Sequence, residues 1–164
     1  MIIDNMKKRK NKKPKVLAIS SGGGHWIQLL RLLPAFSEFD VAFSTVHSSH
    51  RIDVPGKRFY KIIDATRWNK FRLIIMLFMI FVVILKERPD AIVTTGAAPG
   101  YFAIRIGNLF GSKGCWLDSI ANVEELSLSG QRVGPYCSLW LTQWKHLHIN
   151  GKLQYKGSVF KIDD

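Results

Sequence analysis

The chain has 164 residues, of which 47% are hydrophobic and 22% charged, and its formal net charge is +12. That length holds one domain of ordinary size and excludes two full-size lobes with a cleft between them. The hydrophobic content is enough to bury a core, which excludes disordered, collagen-like and disulfide-stapled chains.

The charge is uneven, because Lys7, Lys8, Arg9, Lys10, Lys12, Lys13 and Lys15 carry seven positive charges with no acid among them. Residues 1–14 read as a solvated basic tail attracted to polyanions, either nucleic acid or an anionic lipid surface, ahead of a single domain over residues 15–164. Cys115 and Cys137 lack C-x-x-C spacing, and no secretory h-region stands before the lysines. Two reduced thiols in a cytoplasmic protein are therefore expected.

Lys15 to Ser20 (KVLAIS) is a short apolar run ending in Ser21-Gly22-Gly23-Gly24-His25, a buried strand feeding a glycine turn. His25 to Leu33 has a helical apolar period around Gln28 and Arg31, and Pro34 helps to stop it. Strands fit Phe39 to Thr45 and Arg58 to Ile63, the latter after a Pro55-Gly56 turn. A long apolar segment follows. A strand at Ala91 to Thr95 then runs into Gly96-Ala97-Ala98-Pro99-Gly100 and a helix from about Tyr101 to Phe110, repeating the opening unit. Gly114 to Leu117, ending at Asp118, and Ser138 to Thr142 read as two more strands. This alternation predicts an α/β fold, a Rossmann-like parallel sheet with helices on both faces. Such sheets bind ligands at the carboxyl ends of their strands, so the loops Ser20 to His25, Thr94 to Gly100 and Asp118 to Glu125 carry the interest.

Leu73 to Leu85 is thirteen apolar residues in a row, within a helix expected near residues 70–87. Those thirteen make about 20 Å of helix, against roughly 30 Å of bilayer hydrocarbon. With no polar stripe between Arg72 and Lys86, the segment is either buried under other elements or a partner, or lies in a membrane interface. Arg67, Trp68, Lys70 and Arg72 are headgroup-level anchor types, and Trp68, Arg72, Leu73, Phe78 and Phe81 are the candidate membrane residues. An apolar patch together with a polybasic segment gives firm attachment where either alone is weak. Peripheral or monotopic association with the cytoplasmic leaflet is expected.

A strand that ends in glycines and opens a helix makes an anion site, because bare N–H groups and the helix dipole face the ligand. The dinucleotide fingerprint fails, since Ile27 occupies the third glycine position counted from Gly22; a P-loop fails because no G-K-[ST] follows. Nicotinamide, flavin and ATP chemistry are disfavoured, and no cofactor is expected. Tight packing of helix on strand is the competing explanation of such glycines. His25 at the helix start is a candidate ligand contact, or a residue that merely packs or caps. Asp118 is a candidate general base or a turn cap. His146 and His148 alternate as on one strand face but have no third ligand, so no metal site is expected; Glu124 and Glu125 read as solvated helix residues. The folded part lacks an interleaved basic and aromatic motif, which argues against nucleic acid as a partner.

KVLAISSGGGHWIQLLRLLP, PDAIVTTGAAPGYFAIRIGNLFG and CWLDSIANVEELSLSGQRVGPYCSLWLTQW together resemble the N-terminal half of the MurG-like glycosyltransferases. More closely, they are similar to the acceptor-side subunits of split transferases: the anchoring subunit of the eukaryotic chitobiosyl-diphosphodolichol synthase and bacterial PssD and CpsF-type proteins. The resemblance runs from Lys15 to about Tyr155, and Asp118 to Trp144 is its most specific part. It implies the N-terminal lobe of a GT-B fold, with a UDP-sugar-binding subunit as partner and a polyprenyl-diphosphate-linked saccharide as acceptor in capsule or exopolysaccharide assembly. It further implies that Ser21, Gly22, Gly23 and Gly24, with Thr95, Gly96 and Gly100, hold the acceptor diphosphate, and that His25 or Asp118 is the base. Asp118 stands where the family often has glutamate. The alternative is a non-catalytic anchor that recruits a self-sufficient transferase.

Overall fold

The computed structural model describes residues 12–65 and 68–160; Lys7, Lys8, Arg9 and Lys10 of the tail, and Arg67, lie outside them. In chain order the elements are β1 (Lys15–Ile19), α1 (Gly24–Arg31), β2 (Asp40–Thr45), β3 (Arg58–Lys61), α2 (Lys70–Glu87), β4 (Ala91–Thr94), α3 (Ala97–Leu109), β5 (Lys113–Leu117), α4 (Leu128–Val133), β6 (Leu139–Thr142) and β7 (Gln154–Tyr155). Four 3₁₀ turns, among them Ser48–Asp53, complete the described chain. The seven strands form one parallel sheet in the order β3-β2-β1-β4-β5-β6-β7.

Alternation of side chains along each strand divides the core in two. Leu17 and Ile19 of β1 pack with Met76, Ile80 and Ile84 of α2 and Ala103 and Ile104 of α3, while Val16 and Ala18 meet Trp26 and Leu29 of α1 on the other face. This is the α/β Rossmann-like arrangement expected from the alternating strands and helices. The second glycine unit differs in one respect, since α3 starts at Ala97 and not near Tyr101. Pro99 is tolerated there because the first turn of a helix has no intrahelical use for its N–H groups. Sequence patterning also passes over α4 and β7, which are too short and too polar to carry a periodic signal.

The apolar helix α2 is half-buried. Asn69 caps it by accepting from the Arg72 amide at 3.0 Å, and Arg88 ends it in the left-handed region at φ 47° ahead of Pro89. Met76, Ile80, Val83, Ile84 and Glu87 form the inward stripe. Phe71 (74% exposed), Ile74 and Phe78 (65%) face outward, and Phe81 and Val82 are partly exposed beside them. Leu73 departs from the membrane set, because it packs partly against the core. The outer surface continues onto the end of α3, where Leu109 and Phe110 are exposed and the Phe81 and Phe110 rings lie 5.9 Å apart. Among the described residues no helix is long and apolar enough to cross a membrane.

The carboxyl end of α2 is latched to the amino edge of the sheet. Glu87, 4% exposed, accepts from Arg58 Nε at 3.0 and 3.1 Å and from the Tyr60 hydroxyl at 2.5 Å. Arg58 also pairs with Asp40 at 2.9 Å, and Lys15 Nζ donates to the Glu87 carbonyl. Burial, reinforced by that carboxylate, pushes the Tyr60 phenol up to about 12. Lys15 is thus a structural residue of β1 and not part of a solvated tail. A depression of about 460 Å³ lies beside the latch, remote from the glycine loops. Glu87→Gln will destabilise the domain by about 1–2 kcal/mol, because the buried carboxylate's charge-assisted bonds to Arg58 and Tyr60 are weakened while Arg58, 42% exposed, keeps Asp40 and solvent. Urea unfolding checks it, and an unchanged midpoint would mean the latch is solvated.

Candidate functional site

The strand order reverses between β1 and β4, and the loops that follow these two strands meet at the carboxyl edge of the sheet. His25, in the first turn of α1, reaches across to the loop after β4: its Nδ1 lies 2.8 Å from the Thr95 carbonyl oxygen, and the Thr95 hydroxyl donates back to the His25 carbonyl at 2.6 Å. A carbonyl oxygen only accepts, so Nδ1 carries the proton. In the neutral ring the lone pair then sits on Nε2, which makes no bond to any described residue. Gly96 has φ +122°, and a Cβ there would stand 2.8 Å from His25 Cε1. A side chain at that position would displace the imidazole.

The glycines divide into two kinds. Gly23 caps α1 with φ +62°, a conformation that favours glycine, and Gly24 is open on its outer side. A Cβ on Gly22 would collide with the His47 ring at 2.3 Å. No side chain caps α1 or α3, so the first-turn N–H groups of both helices are left for a ligand or solvent. Gly100, by contrast, is buried with a Cβ position only 2.0 Å from Thr94 Oγ1, and the Thr95 side chain is spent on His25. The Thr95 hydroxyl and the bare Cα of Gly100 thus both serve contacts within the fold. Ser21 is half-buried, and its carbonyl accepts from Thr45 Oγ1 at 3.1 Å.

Asp118 is also relocated in role. It is 1% exposed and accepts four hydrogen bonds: Oδ1 from Trp116 Nε1 (3.0 Å) and Ser127 Oγ (2.8 Å), and Oδ2 from Asn122 Nδ2 (3.0 Å) and the Ser127 amide (3.0 Å). A carboxylate so occupied holds the loop after β5 in shape, and taking a substrate proton would require giving up a buried bond. Gly130 makes room for it, since a Cβ there would come within 2.5 Å of Oδ1.

Sequence reasoning passed over Gln28, which ties this rim together. Its Nε2 donates to the Gly24 carbonyl (3.2 Å) and Ser119 Oγ (3.0 Å), and its Oε1 accepts from the Ile120 amide (3.0 Å) and Gln143 Nε2 (2.6 Å). Gln143 in turn donates to the Asp118 carbonyl and accepts from the Val159 amide. The available signal was a polar residue set between Ile27 and Leu29 on a helix whose other inward positions are apolar. His146 and His148 lie on and just after a 3₁₀ turn, not on a strand; His146 Nε2 meets the Val123 carbonyl at 2.6 Å. Glu124 and Glu125 are exposed on the loop after β5, which is not helical there. Both thiols are free, and burial pushes Cys115 up to about 11 and Cys137 up to about 12.

A seven-stranded parallel sheet with glycine-opened helices after β1 and β4 is a Rossmann-like α/β lobe. Acinetobacter baumannii MurG superposes on 91% of this chain with TM-score 0.73 at 11% identity, over 47% of its own length. A UDP-N-acetylglucosamine 2-epimerase from Rickettsia bellii does so on 90% with TM-score 0.69 at 12% identity, over 45% of its length. The chain thus spans about half the length of these solved proteins, and at such identities the likeness is one of fold. In sequence it is similar to the UDP-N-acetylglucosamine transferase subunit ALG14 of Yarrowia lipolytica, with 25% identity over 167 residues, 84% of this chain and 77% of that protein. No family model matches the chain.

Proposed function

We propose that this chain is the acceptor-side subunit of a two-protein glycosyltransferase. It binds a polyprenyl-diphosphate-linked saccharide at the cytoplasmic face of the membrane, and a separate subunit brings the UDP-sugar. The reading is supported by the similarity to a transferase subunit and by the MurG-like lobe, but the observation that carries it is His25. The histidine joins both glycine loops and keeps Nε2 free beside two uncapped helix starts. In the reaction, Nε2 takes the proton of the acceptor sugar hydroxyl as that oxygen attacks the anomeric carbon, and UDP departs with the electrons of the broken glycosyl–phosphate bond. Gly22, Gly23 and Gly24 supply the backbone around the acceptor diphosphate, where N–H dipoles offset its charge, while Gly96, whose amide donates to Thr94 Oγ1, leaves room for the His25 ring. Asp118 shapes the neighbouring loop and does not touch substrate. The exposed face of α2 holds the acceptor's lipid end at the bilayer, and assembly of a capsule or exopolysaccharide is the setting.

The test is reconstitution: the chain co-expressed with the product of the adjacent reading frame, assayed for sugar transfer from UDP-sugars to a polyprenyl-diphosphate acceptor. Activity that needs both chains supports the proposal. Full turnover by either protein alone would sink it. If the partner is fully active only when recruited by the α2 face, and His25→Ala has no effect, the chain is a non-catalytic anchor instead.

A further inference from the structure

His47 lies outside the machinery assigned so far. It follows the carboxyl end of β2, and its exposed ring presses on the first glycine loop so closely that a side chain on Gly22 would push it aside. The ring is held from behind. It meets the His50 ring edge-on at 5.6 Å and 73°, and His50 is stacked on buried Trp26 at 5.0 Å and 23°. Asp53 Oδ2 fixes both supports, accepting from Trp26 Nε1 at 2.8 Å and lying 3.2 Å from His50 Nδ1. In contrast to its supports, His47 makes no side-chain hydrogen bond to any described residue. His25 stands with Gly96 and the loop after β4, so the first glycine loop has an imidazole on each flank.

We infer that His47 is a second ligand contact of this loop, donating a ring N–H to a phosphate oxygen of the prenyl diphosphate while His25 serves the sugar hydroxyl. The inference rests on the proposed acceptor site. Its physical basis is pre-organisation, because a donor whose ring already rests edge-on against His50, itself stacked on buried Trp26, loses less side-chain freedom when it bonds an anion. The Trp26–His50–His47 stack is thus a support that carries one donor to the rim of the sheet.

The full-length chain in detergent micelles would be titrated with farnesyl diphosphate, with farnesol as the control, while ring-nitrogen signals of the histidines and amide signals of Gly22–Gly24 are followed by NMR. His47 nitrogens and the glycine amides are expected to move together with farnesyl diphosphate and to stay still with farnesol. His47→Phe, which keeps the ring shape and loses the donor, is expected to weaken farnesyl diphosphate binding about tenfold, and His47→Asn to recover part of it. Glycine amides that move while His47 stays silent, with unchanged affinity in His47→Phe, would overturn this inference and leave the acceptor site standing. If neither group responds, the acceptor site itself is wrong and the inference falls with it. An equal His47 response to phosphatidylglycerol vesicles alone would assign the contact to lipid headgroups and overturn the diphosphate role.

Discussion

His25→Ala will lower kcat for sugar transfer by the reconstituted pair at least about a hundredfold, with little change in thermal stability or membrane attachment. A positioned general base contributes about a hundred- to ten-thousandfold when it meets the reacting proton. The bond from Nδ1–H to the Thr95 carbonyl sets both the tautomer and the ring plane, which is the division of labour expected of a base and its orienting partner. Asparagine at this position can copy the bond to Thr95 but offers no basic nitrogen, so His25→Asn should remain as inactive as His25→Ala. Gly96→Ala should reproduce much of the defect without touching the imidazole chemically, by pushing a methyl into Cε1 from a left-handed backbone position. Initial rates at saturating acceptor check all three. Wild-type kcat in His25→Ala would leave the base unassigned and favour the anchor reading.

Replacing Phe71, Phe78 and Phe81 together with serine will reduce binding to anionic vesicles about a hundredfold or more. Each phenyl is worth about 1.5–3 kcal/mol when fully moved out of water, and these three stand on the outer side of α2, Phe81 alone sharing a ring contact, with Phe110. The inward stripe of Met76, Ile80 and Ile84 is untouched, so urea unfolding should change little. Raising the salt, or removing Lys7–Lys10, should weaken binding further, because a basic segment is worth about 1 kcal/mol per charge near an anionic leaflet. Vesicle sedimentation measures both contributions. Binding that is indifferent to the serine variant would show that some other surface meets the lipid.

The sheet was legible because β1, β2, β4 and β5 are short, largely apolar runs, three of them leading into glycine or aspartate, and a parallel sheet buried on both faces leaves that mark in sequence. The loops of interest were legible for the same reason: Ser20 to His25 and Thr94 to Gly100 close two such runs. Individual roles within them were not. Thr95 and Gly100 look like phosphate ligands by type, but one is turned toward His25 and the other lets α3 lie on Thr94. Asp118 looked like a base because an acid at the end of a strand often faces a cleft, and only the convergence of Trp116, Asn122 and Ser127 shows its lone pairs in use. Gln28 and His47 were overlooked since each draws its meaning from residues distant in the chain, Gln143 and Ile120 for one and Gly22 for the other. The apolar helix was read as either buried or interfacial, and the structure shows one side of it buried and the other exposed.

The Gln28 carboxamide acts as a spacer as well as a tie. Every donor and acceptor position on it is matched, two partners for the nitrogen and two for the oxygen. The clearance between α1 and the loop after β5 is therefore set by the reach of one side chain. Asparagine, one methylene shorter, would either let go of Ile120 or drag the loop onto the helix. The spacing between helix and loop is thus fixed by a methylene count, and any change in it would have to begin at this position.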